Sequence, residues 1–270
     1  MKPLLTFVHC SDTHIGPTVD FEYGGYRTLR SLEAFIALVN NFPHPPDFVV
    51  HTGDISHDKS QESYVIAAEA FARLQVPIYY VSGNHDNPAF VRKYLGAPAH
   101  PGGDPDAPLD YVFTHNGERF LVLDAHSPLV PDPLGHLSEP QLDFVRAEAQ
   151  PDGPPLTVLL HYPLFPMASP WLDEHMIVDN GLALHRALLP ARDRLRGVFF
   201  GHLHRGSQIN REDISYTSVP STAWQYVWRS WDDRPQLDEN TLPAYHIVQY
   251  FPDHIIVQQY GLGAAGHVRK

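Results

Sequence analysis

The chain has 270 residues, 43% of them hydrophobic, and a formal charge of −12 with 18 histidines. That is enough to build one α/β domain spanning residues 1–270, and no apolar run approaches the roughly 18 residues of a membrane-crossing helix. The acidic balance argues against a nucleic-acid partner, which is usually met by stripes of Lys and Arg, and a single cysteine, Cys10, excludes an internal disulfide and a thiolate zinc site.

Leu4 to His9 reads as a buried first strand leading to Asp12, with Cys10 a small buried hydrophobe at its end. The stretch Met1 to Cys10 has neither the apolar length nor the small-residue cleavage site of a signal peptide, so a cytoplasmic protein is expected. Tyr26 to Asn40 carries Leu29, Leu32, Ile36 and Val39 at helical spacing. Phe48 to His51 is a second strand ending at Gly53-Asp54. Ser63 to Leu74 is an alanine-rich helix, and Val76 to Val81 a third strand that runs into Gly83-Asn84-His85-Asp86. This alternation predicts a parallel sheet covered by helices. Ala97 to Pro108 is a loop. Tyr111–His115 and Arg119–Asp124, joined by Asn116-Gly117, form a hairpin. Pro140–Ala149 is a helix, Leu156–His161 a strand, Leu182–Leu189 a helix, and Gly197–Phe200 a strand entering Gly201-His202-Leu203-His204. Hairpin strands follow at Ile214–Val219, Tyr245–Phe251 and Ile255–Tyr260. Two long segments, Tyr162–Gly181 and Trp224–Pro243, fit no element. Their proline and aromatic content suggests a substrate wall, a cap, a subunit contact or peripheral packing.

Five clusters, Asp12-Thr13-His14, Gly53-Asp54, Gly83-Asn84-His85-Asp86, His161 and Gly201-His202-Leu203-His204, each follow a short apolar or β-branched run. Strands that end in loops deliver such groups to one sheet edge. Asp12 and His14 share a face of an extended segment, Asp54 can bridge two cations through its two oxygens, and Asn84 offers a neutral oxygen. With His161, His202 and His204 the set holds two carboxylates, one amide and four imidazoles, which suits Mn, Fe, Zn or Ni. Seven donors exceed the needs of one ion and match two, and two ions would attract a phosphate to an otherwise acidic protein.

These motifs, D-x-H, G-D, G-N-H-D, H and G-H-x-H in this order, resemble those of the calcineurin-like metallophosphoesterase superfamily. The resemblance implies a sandwich of two mixed β-sheets flanked by helices. It also implies one metal at Asp12, His14, Asp54 and His204, and a second at Asp54, Asn84, His161 and His202, with Mn and Fe as the expected pair and Zn or Ni as substitutes. His85 would stand outside the coordination shell and assist the leaving oxygen while a metal-bridging hydroxide attacks phosphorus. Leu123-Asp124, Gly135, Leu137 and Gln141, with Trp171-Leu172-Asp173 and Asn180-Gly181-Leu182, are similar to bacterial class III cyclic-nucleotide phosphodiesterases, and related glycerophosphodiesterases share parts of them. That branch implies a substrate such as cyclic AMP or another small phosphodiester, and a C-terminal segment (224–243 being the candidate) that helps form a homodimer. Two alternatives stay open: a DNA-end nuclease, whose motif Ser11-Asp12-Thr13-His14-Ile15-Gly16 also fits, and a non-catalytic scaffold. Of the remaining polar residues, His57 and Asp58 are expected in a solvated loop or helix start. His9 and His51 are expected beside the ligands or at the surface, Asp86 as an orienting carboxylate, and Arg205 at the surface.

Overall fold

The interior strands are short runs of Phe, Val and Ile that can be buried on both faces, and this places them in the middle of helix-covered sheets. The computed structural model describes residues 2–263, 266 and 267. In chain order it contains β1 (Leu5–Cys10), the two-residue strands β2 (Glu22–Tyr23) and β3 (Tyr26–Arg27), α1 (Thr28–Asn40), β4 (Phe48–His51), α2 (Gln61–Phe71), β5 (Ile78–Tyr80), α3 (Pro88–Leu95), β6 (Tyr111–His115) and β7 (Glu118–Val122). The second half adds α4 (Glu139–Glu148), β8 (Leu156–Leu159), α5 (Pro170–His175), α6 (Gly181–Leu188), a 3-10 turn (Leu189–Arg194) and β9 (Leu195–Phe200). It ends with β10 (Ser207–Arg211), β11 (Ile214–Ser218), β12 (Tyr226–Val227), β13 (Gln236–Leu237), β14 (Ala244–Tyr250) and β15 (Ile255–Gly261).

Two mixed sheets result. One runs β15-β14-β1-β4-β5, and the other β10-β11-β9-β8-β7-β6. β1, β4 and β5 are mutually parallel, as are β7, β8, β9 and β11. The sheets meet through aromatic side chains. Phe7 stacks on Phe48 at 5.4 Å and meets Phe120 and Phe199 of the other sheet edge-on at 5.9 and 5.8 Å. Tyr250 hydroxyl and Thr157 hydroxyl hydrogen-bond across the gap at 2.7 Å. The outer face of the first sheet is covered by α1, which buries Leu32, Phe35, Ile36 and Val39. Leu142, Val145, Leu184 and Leu188 of α4 and α6 cover the second.

Several helix ends follow local chemistry. Ser60 caps α2 by accepting from Ser63 N, with Asp58 accepting from both serines, so Asp58 does mark a helix start. Asn87 caps α3 with Pro88 behind it, and Ser138 and Gln141 form a capping box on α4.

The boundaries differ from expectation in instructive places. Tyr26 lies in β3 rather than in the first helix, which begins at Thr28. α3 and α5 are short helices in segments for which the sequence predicts none, and β10 (Ser-Gln-Ile-Asn-Arg) is a mostly polar edge strand. Ile214–Ser218 is paired to β10 in a hairpin, yet it also runs parallel to β9. No helix among the described residues is long and apolar enough to cross a membrane.

Candidate metal centre

Parallel strands end at one edge, and the C-terminal ends of β1, β4, β5, β8 and β9 carry Asp12/His14, Asp54, Asn84/His85, His161 and His202/His204. Main-chain bonds knit these loops together. Asp12 N donates to Gly53 O (3.0 Å), His14 N to Asp54 O (3.0 Å) and Gly201 N to His161 O (3.0 Å). Five of the seven expected ligands sit in left-handed backbone: Asp12 (φ 56°), His14 (45°), Asp54 (55°), His202 (66°) and His204 (48°). Each such residue costs on the order of 1–3 kcal/mol and persists only where its surroundings hold it. Glycines make the close approach possible. A Cβ on Gly53, whose φ is 98°, would lie 2.6 Å from His161 Nδ1, and one on Gly83 would collide with Asp54 Oδ1.

Six of the seven side chains fall into two buried groups. Donor atoms of Asp12, His14 and His204 lie within 4.8 Å of one another, as do those of Asp54, His161 and His202. His14 Nε2 is 3.0 Å from His204 Nε2, and His202 Nδ1 is 3.0 Å from His161 Nε2. The groups meet at Asp54 Oδ2, which is 3.6 Å from His14 Nε2 and 3.3 Å from His161 Nε2. Asp54 Oδ1 is occupied by the main-chain N–H of His85 at 2.8 Å. One oxygen therefore faces both groups, rather than one oxygen for each as the sequence suggested.

The donor set fits metal ions. His161 Nδ1 donates to Thr52 O (2.6 Å) and His204 Nδ1 to Trp224 O (2.9 Å), which leaves both Nε2 atoms as lone pairs. Each lone pair points at another donor atom across little more than 3 Å. Asp12 Oδ1 and Asn84 Oδ1 are buried without a partner. Such nitrogen pairs must share a proton or a cation, and buried unpaired acceptors are costly unless a cation meets them.

Burial would push Asp54 up, but His161, His85 and His14 outweigh it and hold the carboxyl well below its usual range. Burial would lower His161, but Asp54 and Asp12 raise it to about 9, so these carboxylates favour positive charge at its Nε2, a proton that a metal ion would displace to take up the lone pair. Burial and the neighbouring His161 hold His202 well down.

Around this centre, Asp86 accepts from the main-chain N–H groups of Ile55, Ser56 and Gly83 and from Tyr64 hydroxyl at 2.9–3.1 Å. Burial and Asp54 raise it to about 6. It braces the loops after β4 and β5, an orienting position. His51 Nε2 lies 3.1 Å from Thr13 hydroxyl and His9 Nε2 2.9 Å from Thr52 hydroxyl, both behind the ligand loops.

His57 corrects the expectation of a solvated loop. It is half-buried and lines the cleft, its carbonyl accepts from His85 Nδ1 at 2.7 Å, and its ring stacks near that of His85 (5.6 Å, 21°). Arg205 is not simply exposed either. It is half-buried and pairs with Asp238 at 3.1 Å.

The cleft over the centre encloses about 270 Å³. Both unassigned segments supply its walls: Trp171 and Leu172 from α5 with Met176 just after it, and Trp224, Tyr226, Trp228, Arg234 and Pro235 from the strap around β12 and β13. Trp224, 2% exposed, lies against the rings of His14 (4.6 Å) and His204 (4.9 Å). Tyr226 N donates to His204 O.

A two-sheet sandwich that gathers imidazoles, carboxylates and an amide at one strand edge defines a metal-dependent hydrolase. Residues 5–206 match the calcineurin-like phosphoesterases, and the chain belongs to that family. It is 30% identical over 222 residues to a 3′,5′-cyclic adenosine monophosphate phosphodiesterase, CpdA, from Pseudomonas aeruginosa, covering 82% of this chain and 77% of that one. It is 28% identical over 219 residues to the CpdA of Escherichia coli K12, covering 80% and 75%. It is also 28% identical over 239 residues to a glycerophosphodiester phosphodiesterase, GpdQ, from Enterobacter lignolyticus, covering 87% and 83%. Among solved structures, a dimetal phosphatase from Danio rerio shares the fold with a TM-score of 0.71 at 16% identity, covering 97% and 98% of the two chains.

Proposed function

We propose that this chain hydrolyses small phosphodiesters, cyclic nucleotides among them, with two metal ions side by side in the cleft. The observation that carries the reading is the single Asp54 oxygen facing His14 on one side and His161 on the other, which makes two adjacent donor sets. The preference for diesters is supported by the names of the relatives and by charge. A cyclic diester brings one negative charge to a protein of −12, whereas a monoester brings close to two at neutral pH.

On this reading Asp12, His14, His204 and Asp54 hold one ion, and Asp54, Asn84, His161 and His202 the other. Mn with Fe is the expected pair, with Zn or Ni as substitutes. When bound, such a pair supplies a water acidified towards neutrality and positive charge for the phosphoryl oxygens. The side chains do the remaining work. Asn84 contributes an oxygen with no other partner. His85 is held at Nδ1 by the His57 carbonyl, so its Nε2 is the nitrogen available to the cleft, where it can serve the departing oxygen as general acid. Trp224 shields His14 and His204 from water.

The test is metal analysis of the replete protein together with kcat/KM for cyclic AMP, an aryl diester and an aryl monoester. At most one ion per chain, or a monoester cleaved faster than every diester, overturns the proposal. Degradation of duplex DNA would favour the nuclease reading.

A further inference from the structure

Arg234 is the single Arg or Lys that lines the metal cleft among the described residues. Two other arginines are engaged with strap carboxylates: Arg205, from the loop after β9, pairs with Asp238 at 3.1 Å, and Arg229, on the strap itself, with Asp232 at 3.6 Å. Arg234 is exposed and forms no hydrogen bond or ion pair with any described residue, although Asp232 and Asp233 precede it. The strap that carries it is anchored. Tyr226 pairs with Leu237, Arg205 donates to Tyr226 O (3.0 Å), and Asp238 N donates to Gln225 O (2.9 Å). The same cleft presents the half-buried indoles of Trp228, from the strap, and Trp171, from α5. Flat apolar faces beside an uncommitted guanidinium suit a planar heteroaromatic ring that carries acceptors on its edge.

The two purine bases differ at that edge. Guanine offers two acceptors, O6 and N7, whereas adenine offers one acceptor and an amino donor. A guanidinium has donors only. It can satisfy both acceptors of guanine, but it meets adenine's amino group donor to donor. Resting on the diesterase reading of the same cleft, we propose that Arg234 reads the base of a nucleotide diester and favours guanine over adenine.

The experiment compares wild-type and R234Q proteins, both metal-replete, on cyclic GMP, cyclic AMP and bis(para-nitrophenyl) phosphate. A glutamine offers one donor and one acceptor, the pattern that matches adenine. The ratio of kcat/KM for cyclic GMP to that for cyclic AMP should fall at least about fivefold in R234Q, the low end of what one two-point base contact discriminates. Because both rates come from one preparation, the ratio does not depend on the fraction folded. An unchanged ratio, or equal losses on all three substrates, overturns the proposal, the latter marking Arg234 as a general attractor of anions. Cleavage of the aryl diester alone by the wild type sinks base reading and leaves the diesterase standing. Cleavage of none of the three removes both.

Discussion

His85 Nδ1 donates to the main-chain carbonyl of His57 across 2.7 Å, so the loop after β4 sets the tautomer of a histidine in the loop after β5. Asn84, one residue earlier, has a buried Oδ1 with nothing to accept from. Neighbours in sequence, the two residues should fail differently. Asn84→Ala should lower occupancy of one metal position. His85→Ala should keep the metal content and lose roughly 10²–10⁴-fold in kcat. Metal analysis beside steady-state rates checks the pair, and loss of metal from His85→Ala at the level of a ligand variant would contradict the role given to it.

Gly83→Ala should be more damaging than its size suggests. The added Cβ falls on Asp54 Oδ1 and within 2.5 Å of Asp54 N, so the carboxylate on which both donor groups meet must move. We expect loss of both ions and of activity with secondary structure retained. Elemental analysis with circular dichroism decides it.

Asp86→Ala leaves three buried N–H groups, those of Ile55, Ser56 and Gly83, without an acceptor. At about 1–3 kcal/mol for each unsatisfied buried group, the variant should unfold at markedly lower denaturant. Asp86→Asn keeps an acceptor oxygen and should recover part of the loss. Equal midpoints for wild type and Asp86→Ala would refute this account.

The buried carboxyl of Asp124 is raised to about 7 by its burial and by Asp110 beside it, and burial raises Asp110 to about 6. Both bind a proton more tightly in the folded chain than in the unfolded chain, where carboxyls titrate near pH ~4. Their contribution is therefore greatest below about pH 4 and is lost as pH climbs towards 7. Asp124→Asn should flatten that slope and raise Tm at pH 8 by a few degrees, since about 1 kcal/mol moves Tm by ~2–4 °C at this size. Parallel pH profiles for variant and wild type would rule the pair out as the cause.

The candidate centre was legible because each donor follows a run such as Phe48–His51 or Gly197–Phe200, whose burial on both faces requires an interior parallel strand. Such strands share one C-terminal edge, so position in the chain becomes position in space. What escaped depended on partners far away in sequence. His57 enters the cleft because its carbonyl meets His85, 28 residues on. Tyr226 is drawn to the centre by a bond to His204 O, and Arg205 turns inward to Asp238. None of these contacts leaves a local period. Nor does the left-handed backbone at Asp12, Asp54 and His202, since such φ values are set by what surrounds a residue rather than by its type. β10 was missed for a simpler reason: an edge strand with polar side chains looks like a loop.

The strap has one further implication. Its first residues are bonded to His204 from both directions, Tyr226 N to His204 O and His204 Nδ1 to Trp224 O, and a few residues later the same strap forms the cleft wall that carries Trp228 and Arg234. Anyone re-engineering that wall to admit a bulkier molecule will also disturb His204, one of the residues proposed to hold an ion. Variants selected for a new substrate should therefore be screened for a changed appetite for metal, and those starved of metal should show altered tastes in substrate.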